Sequence, residues 1–347
     1  MLSNRQARPD LYPRGMKEVS DAAHQRHMKL QLWFVPHCID PSVEIGKEHP
    51  EWLGEPYDFS GNYYSLDHGD PKVNQFMIEY YTKIVRDYGL DVFREDGRPL
   101  WPSDNKPGRI GAVQAHYIEG YYAFRDALLK NHPSLIIDNC GEGGKKVDIE
   151  TISRSILMWR SDFQCSGNPV SISNQLYTFG LSYWIPLYSA AASWQWNTKY
   201  DFRGAFAPSL VLMSAVSDLN QKWNQIDLNL LKAMLEEYLS VRDAFYGDYY
   251  PLLPYDAGED SWLAWQFDQP EEGKGLVQAF RRSQSRFFAV NYLLLHGLDP
   301  DALYQVTDLD VNQPQTRTGR DLMEKGLELT AKEKPAALIV TYQKIQK

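Results

Sequence analysis

Two short, continuously apolar runs in this chain each end on an aspartate reached through an arginine. They are residues 90–96 (LDVFRED) and 156–162 (ILMWRSD). Between them, residues 135–140 (LIIDNC) empty into the turn Gly141-Glu142-Gly143-Gly144. Apolar runs of this length without alternation are strands buried on both faces. Comparable runs cover residues 30–36, 184–189 and 209–215, and residues 74–88 and 117–131 carry apolar side chains at helical spacing between them. Strand and helix in alternation make βαβ units and a parallel sheet. Eight such units over ~250 residues close into a barrel. Six strands are visible before residue 220. The count predicts an α/β chain of (β/α)8 barrel type lacking its first two strands; an open α/β sheet is the alternative.

A long helical pattern returns at residues 228–246, with Gly247 as its stop, and Pro251, Pro254 and Gly258 then mark a boundary. Beyond it, short β-type runs at residues 262–267, 276–280, 286–295, 304–309 and 337–342 alternate with turn residues, as in a small antiparallel β-sandwich. The predicted division is a barrel over residues 1–251 and a sandwich over 252–347. The 347 residues, 43% hydrophobic, suffice for one large and one small domain. A net charge of −9 without blocks of like charge argues against nucleic acid or an anionic membrane as the main partner. Cys38, Cys140 and Cys165 form neither a disulfide framework nor a metal signature, and His24 and His27 read as a solvated helix face. No metal or cofactor is expected. No run approaches the ~18 apolar residues of a membrane span. The first 15 residues lack the apolar centre of a signal peptide, which implies a cytoplasmic protein if Met1 is the genuine start.

In a barrel of parallel strands, chemistry sits at the C-terminal strand tips. Asp96 and Asp162 stand at two such tips with tryptophans nearby. Paired carboxylates of this kind suggest glycoside hydrolysis, which with retention needs them roughly 5–5.5 Å apart. Either aspartate could instead cap the helix that follows it. Arg94 lies two residues before Asp96, hence on the same strand face, where its charge would keep the carboxylate ionised; a surface ion pair with Glu95 or Asp91 is the competing role. Trp33 offers a flat platform for a sugar ring or a packing surface for the core. Trp159 is placed to give Asp162 an apolar wall favouring its protonated form, whereas Arg160 on the same face would oppose it. The turn 141–146 (GEGGKK) lacks the G-x-x-x-x-G-K-[ST] spacing of a phosphate loop.

These residues carry a resemblance. LWFVP (32–36) with HPEWL (49–53), FRED (93–96), DNCGEGGKKVDIET (138–151) and MWRSD (158–162) occur in the order and spacing of the retaining α-galactosidases, the melibiase-type enzymes of glycoside hydrolase family 36 and its clan. The C-terminal GRDLMEKGLEL (319–329) extends the likeness over nearly the whole chain. The resemblance implies that Asp96 is the nucleophile and Asp162 the acid/base in hydrolysis of terminal α-linked galactose. It implies sugar contacts from Cys140 and Gly143, which leave room for a plain hydroxyl at C2, and a substrate that is an α-galactoside oligosaccharide or glycan. Relatives often act as oligomers, so a homo-oligomer is open to this chain. Several positions depart from the family pattern: Arg94 replaces a lysine, His37 a glutamate, Gly61 or Asn62 a sugar-binding arginine and Cys165 an aspartate, while Glu142 interrupts a run of small residues. The paired aspartates of the missing barrel front have no counterpart. Competing readings are hydrolysis or transglycosylation of another α-glycoside, and a non-catalytic carbohydrate-binding relative or fragment.

Overall fold

The computed structural model describes residues 7, 10–57, 62–97, 107–109, 111–164, 171–193, 198–213 and 227–345. Gly61, Cys165 and the end of the 209–215 run lie outside them. The chain divides into two compact units, Met1–Trp159 and Arg160–Lys347.

The first unit opens with helix α1 (Met16–His24) and strand β1 (Gln31–Phe34). A two-residue antiparallel ladder pairs β2 (Cys38–Ile39) with β3 (Tyr64–Ser65). Helix α2 (Pro71–Tyr88) begins where Asp70 accepts a hydrogen bond from the Lys72 N–H at 2.8 Å and Pro71 occupies the first turn. It stops at Gly89, whose φ of 62° continues no helix. Strand β4 (Val92–Glu95), helix α3 (Ala112–Asn131) and strand β5 (Ile136–Asn139) follow. The three strands run parallel in the order β1-β4-β5. One face of this sheet is sealed by Val73, Met77, Tyr81, Ile84 and Val85 of α2 and by Tyr117, Tyr121, Phe124 and Leu128 of α3. Phe34 and Phe93 stack on the strand side at 4.6 Å between ring centroids. Each large side chain so buried stabilises the unit by roughly 1.5–3 kcal/mol.

The run at 156–162 departs from expectation. Ile156 makes a parallel bridge to Asp138, and bridging along this run stops at Leu157 without building a strand. The Asp138 carboxylate accepts the Met158 N–H at 3.2 Å, occupying a main-chain donor that a longer strand would need. Asp162 therefore starts a 3-10 turn (Asp162–Gln164) in place of ending a strand.

The second unit continues with helix α4 (Ser171–Leu181), strand β6 (Ser189–Ser193), helix α5 (Lys199–Gly204) and strand β7 (Ser209–Met213), with β6 and β7 parallel. The strand expected at 184–189 thus begins where the prediction ends. Helix α6 (Leu228–Val241), capped by Asp227, runs into a 3-10 stretch up to Gly247. Next come β8 (Asp248–Pro251), β9 (Trp262–Gln269), β10 (Lys274–Arg281), β11 (Ala289–Leu293), β12 (Leu303–Asp308), β13 (Gln315–Thr318), β14 (Leu327–Thr330) and β15 (Ala336–Lys344). Six of them form an antiparallel sheet ordered β13-β12-β15-β10-β9-β8, and β11 pairs with β14 in a second sheet. Leu293, Leu327 and Leu329 from the small sheet share one core with Ala264, Val277, Val340 and Tyr304 from the large one. That is a sandwich. Among the described residues no helix is long and apolar enough to cross a membrane.

Candidate active site

The register of the parallel sheet brings three polar or aromatic side chains into one row. Trp33 is opposite Arg94, and Arg94 is opposite Asp138. Side chains along a strand alternate, so this row faces away from the Phe34–Phe93 core. The Arg94 guanidinium donates to the Asp138 carboxylate at 2.6 Å and lies 5.2 Å from the Trp33 ring and 5.0 Å from the Trp159 ring. Gln31 Nε2 donates to the same carboxylate at 3.2 Å. Burial raises the Asp138 carboxyl above its ordinary range against the opposing pull of Arg94. Trp33 is 64% exposed, an open aromatic surface, whereas Trp159 is buried behind the arginine. The ion pair recorded for Arg94 is thus with Asp138, not with Glu95 or Asp91.

Asp96 follows β4 directly. Its N–H donates to the Phe34 carbonyl at 2.9 Å, which extends the ladder by one residue and fixes where the side chain leaves the sheet. One carboxylate oxygen, Oδ1, accepts the Gly97 N–H at 2.7 Å and the Glu142 N–H at 2.8 Å. Main-chain donors on a carboxylate are strong and stiff, so one oxygen is held while the other is oriented. Cys140 sits against this group. Its N–H donates to the Glu95 carbonyl at 2.9 Å, and its thiol faces Asp96 and the Gly143 N–H. Burial pushes that thiol up to about 12, so it remains protonated. The turn that supplies Glu142 is left-handed throughout: φ is 58° at Gly141, 56° at Glu142, 79° at Gly143 and 82° at Gly144. Only glycine takes such angles without cost, which explains the sequence and makes Glu142 the strained member.

Beneath the tip, Glu95 points the opposite way, into the helix layer. It is fully buried and accepts from Arg125 Nε at 2.9 Å and Lys146 Nζ at 2.5 Å. Burial alone would raise its carboxyl, yet Arg125 and Lys146 hold it well below the ordinary range. Lys146 also donates to His37 Nε2 at 2.9 Å, and His37 Nδ1 lies 2.7 Å from the Tyr117 hydroxyl. Burial, with Lys146 alongside, lowers His37 to about 3 and keeps it neutral.

In the second unit Asp162 is exposed at the start of its 3-10 turn, and Ser161 Oγ accepts the Phe163 N–H at 3.2 Å. Arg160, expected to oppose protonation of Asp162, turns elsewhere. Its guanidinium donates to Thr178 Oγ1 at 2.9 Å and to Asn174 at 3.0 and 3.1 Å, and it packs against the rings of Tyr177 and Tyr188. Burial lowers it to about 10.

Sequence reasoning passed over Asp138 as the partner of Arg94 and did not join Glu95, Lys146 and His37 into one group. Asp138 had a signal: it is the polar interruption of an apolar run, one strand over from Arg94. The buried group had none, because its members are drawn together from three separate segments.

Comparison with known proteins bears on this arrangement. The sequence family described as Melibiase matches residues 2–198, and the glycosyl hydrolase family 36 C-terminal domain matches residues 262–342. The α-galactosidase Mel36A of Lactobacillus acidophilus is 24% identical over 332 residues, covering 91% of this chain and 43% of that protein. The α-galactosidase AgaA of Geobacillus stearothermophilus is 23% identical over 335 residues, covering 91% of this chain and 44% of its own length. The solved structure of the Lactobacillus brevis α-galactosidase superposes with a TM-score of 0.80 at 20% identity, over 99% of this chain and 48% of that one. The chain spans less than half the length of each of these relatives. The fold is theirs: a (β/α) barrel followed by an antiparallel β domain.

Proposed function

We propose, for a chain that belongs to the melibiase family, that the protein it represents hydrolyses terminal α-linked galactose with retention of configuration. The observation that carries the reading is Asp96: a carboxylate at the C-terminal tip of a parallel strand, one oxygen pinned by two main-chain N–H groups, beside an open tryptophan. Asp96 Oδ2 attacks the anomeric carbon while the bond from that carbon to the departing oxygen breaks, and the Asp162 carboxyl gives its proton to that oxygen. A galactosyl ester of Asp96 results. Water then attacks the anomeric carbon, its proton passes to Asp162, and the ester bond breaks to return Asp96. Trp33 stacks on the sugar, and Arg94, braced between Trp33 and Trp159, binds its hydroxyls. Cys140 and Gly143 border the C2 position. A crystal structure of AgaA carries raffinose and another carries stachyose. We extend that substrate class, α-galactoside oligosaccharides, to this protein. The barrel over 1–251 with a sandwich over 252–347 remains our division of its labour.

The test uses the full-length protein and a panel of nitrophenyl α-glycosides. The galactoside alone should turn over. Asp96→Gly should abolish turnover, and azide should then give the β-configured galactosyl azide; Asp162→Ala with azide should give the α-configured product. Residual turnover in D96G, or preference for a non-galactose member of the panel, would overturn the reading.

A further inference from the structure

The geometry points to Lys146 as a positioning residue that acts on Asp96 through the left-handed turn, an inference that rests on the nucleophile role proposed above. The turn between Cys140 and Lys146 is fastened at both ends to one residue of β4. At its start the Cys140 N–H donates to the Glu95 carbonyl at 2.9 Å, and at its end Lys146 Nζ donates to the Glu95 carboxylate at 2.5 Å. Asn139 Nδ2 closes the loop on itself by donating to the Lys146 carbonyl at 2.5 Å. The lysine side chain, 13% exposed, also donates to His37 Nε2 at 2.9 Å, and its stem packs under Gly141, where a Cβ would meet Lys146 Cγ at 2.7 Å.

The turn closes two main-chain hydrogen bonds of its own, from the Gly144 N–H to the Cys140 carbonyl at 2.8 Å and from the Lys145 N–H to the Gly141 carbonyl at 3.3 Å, and the fastening matters because it adds the hold on Glu95 that these lack. Left-handed backbone at a non-glycine residue costs on the order of 1–2 kcal/mol. Glu142 adopts it at φ 56°, and its side-chain pair with exposed Lys145 is a weak restraint. Yet it is the Glu142 N–H that reaches Asp96 Oδ1 at 2.8 Å. With the lysine anchor gone, the turn is free to relax toward right-handed φ and withdraw that donor. Asp96 would keep only the Gly97 N–H, and its second oxygen would lose its aim. Lys146 touches no substrate in this scheme. It sets the angle of attack from behind the sheet.

The experiment compares Lys146→Met and Lys146→Arg in the full-length protein with nitrophenyl α-galactoside as the probe. K146M should lower kcat about 100-fold with KM changed less than about threefold, the signature of a misaimed group. K146R, which keeps a cation on Glu95, should recover most of that loss. Two readouts need no turnover: hydrogen exchange of the peptide containing Glu142, and alkylation of Cys140 followed by mass spectrometry. Both should accelerate in K146M and not in K146R. Unchanged exchange and alkylation in folded K146M would overturn the inference, whatever the activity. If K146M does not fold, Lys146→Gln takes its place, and equal kcat and labelling in K146Q and K146R would overturn it. A wild-type protein inert on every α-galactoside would sink the hydrolase reading, while exchange and alkylation would still decide the clamp.

Discussion

Asp138 and Arg94 form a buried ion pair whose members sit on adjacent strands, and the pair is more exacting than the catalytic assignment beside it. The arginine side chain is 10% exposed and the carboxylate fully buried, so removing one partner strands the other in a poorly solvated site. Asp138→Ala also removes the acceptor that the carboxylate gives the Met158 N–H. The expected loss is about 3–5 kcal/mol in urea unfolding; a loss below about 1 kcal/mol would mean that the tryptophans alone hold Arg94. His37 supplies a pH dependence. The unfolded chain takes up a proton near pH 6.5, whereas the buried ring resists until about 3. Stability is therefore fully present above pH 6.5 and falls as pH drops through that window, by up to about 1.4 kcal/mol per unit. His68, also lowered by burial, adds in the same direction. In His37→Gln the amide oxygen can still accept from Lys146, so the slope between pH 6 and pH 5 should become shallower; an identical slope in wild type and H37Q would refute this. Of these residues the sequence made Arg94 and Asp96 legible, because their spacing on one strand decides their face. The partner of Arg94 was not, since register between strands is a property of three dimensions.

Helices α2 and α3 were readable to the residue at their ends, Tyr88 and Asn131, while their starts were read three and five residues late. Their apolar side chains repeat at helical spacing, and α2 carries its own signals in Asp70, Pro71 and Gly89. Strand β6 was misplaced because SAAAS has little apolar bulk, whereas the preceding WIPLY has more yet is irregular up to the bridge residue Tyr188. The 156–162 run was apolar enough for a strand, but the Asp138 side chain intercepts its ladder. Pattern reading also misses close approach between backbones. Gly120, in the middle of α3, faces the 68–69 segment so tightly that a Cβ there would lie 1.9 Å from the His68 carbonyl oxygen. Neither the helix nor that carbonyl can yield cheaply, since Asn74 Nδ2 donates to the Gly120 carbonyl at 2.9 Å and His68 is itself hydrogen-bonded to Pro36 and Asn74. Gly120→Ala raises helix propensity yet should cost about 3 kcal/mol through overpacking. A melting temperature at or above that of the wild type would show that α3 can slide.

At the scale of the whole molecule, one buried guanidinium makes the largest set of polar ties between the helical part of the second unit and its sandwich, beside the Lys199–Asp310 pair and the bond from Gln278 to the Arg203 carbonyl. Arg203, at the end of α5 and fully buried, donates to both Glu237 oxygens on α6 at 2.7 and 2.8 Å. It reaches Asp310, just past β12, at 2.8 and 2.9 Å, and the Ala337 carbonyl of β15 at 2.7 Å. One planar fork thus engages a helix and two places in the sandwich, a geometry lysine cannot reproduce. Its two carboxylate partners differ in exposure, 15% for Glu237 and 34% for Asp310, so part of the charge left behind by a substitution would be screened by water. Arg203→Met should therefore cost about 3 kcal/mol, near the low end for a broken buried network. The more telling readout is cooperativity. Through Arg203, unfolding of α5 and α6 is coupled to unfolding of the six-stranded sheet; without it, the sheet keeps its own core around Val277, Val340 and Tyr304. Calorimetry of R203M should resolve the sandwich as a later transition, separate from the helices, and Arg203→Lys should fall between the two. If R203M melts in the same single transition as the wild type and within about 1 kcal/mol of it, apolar packing and the remaining polar contacts suffice to join the helices to the sheet.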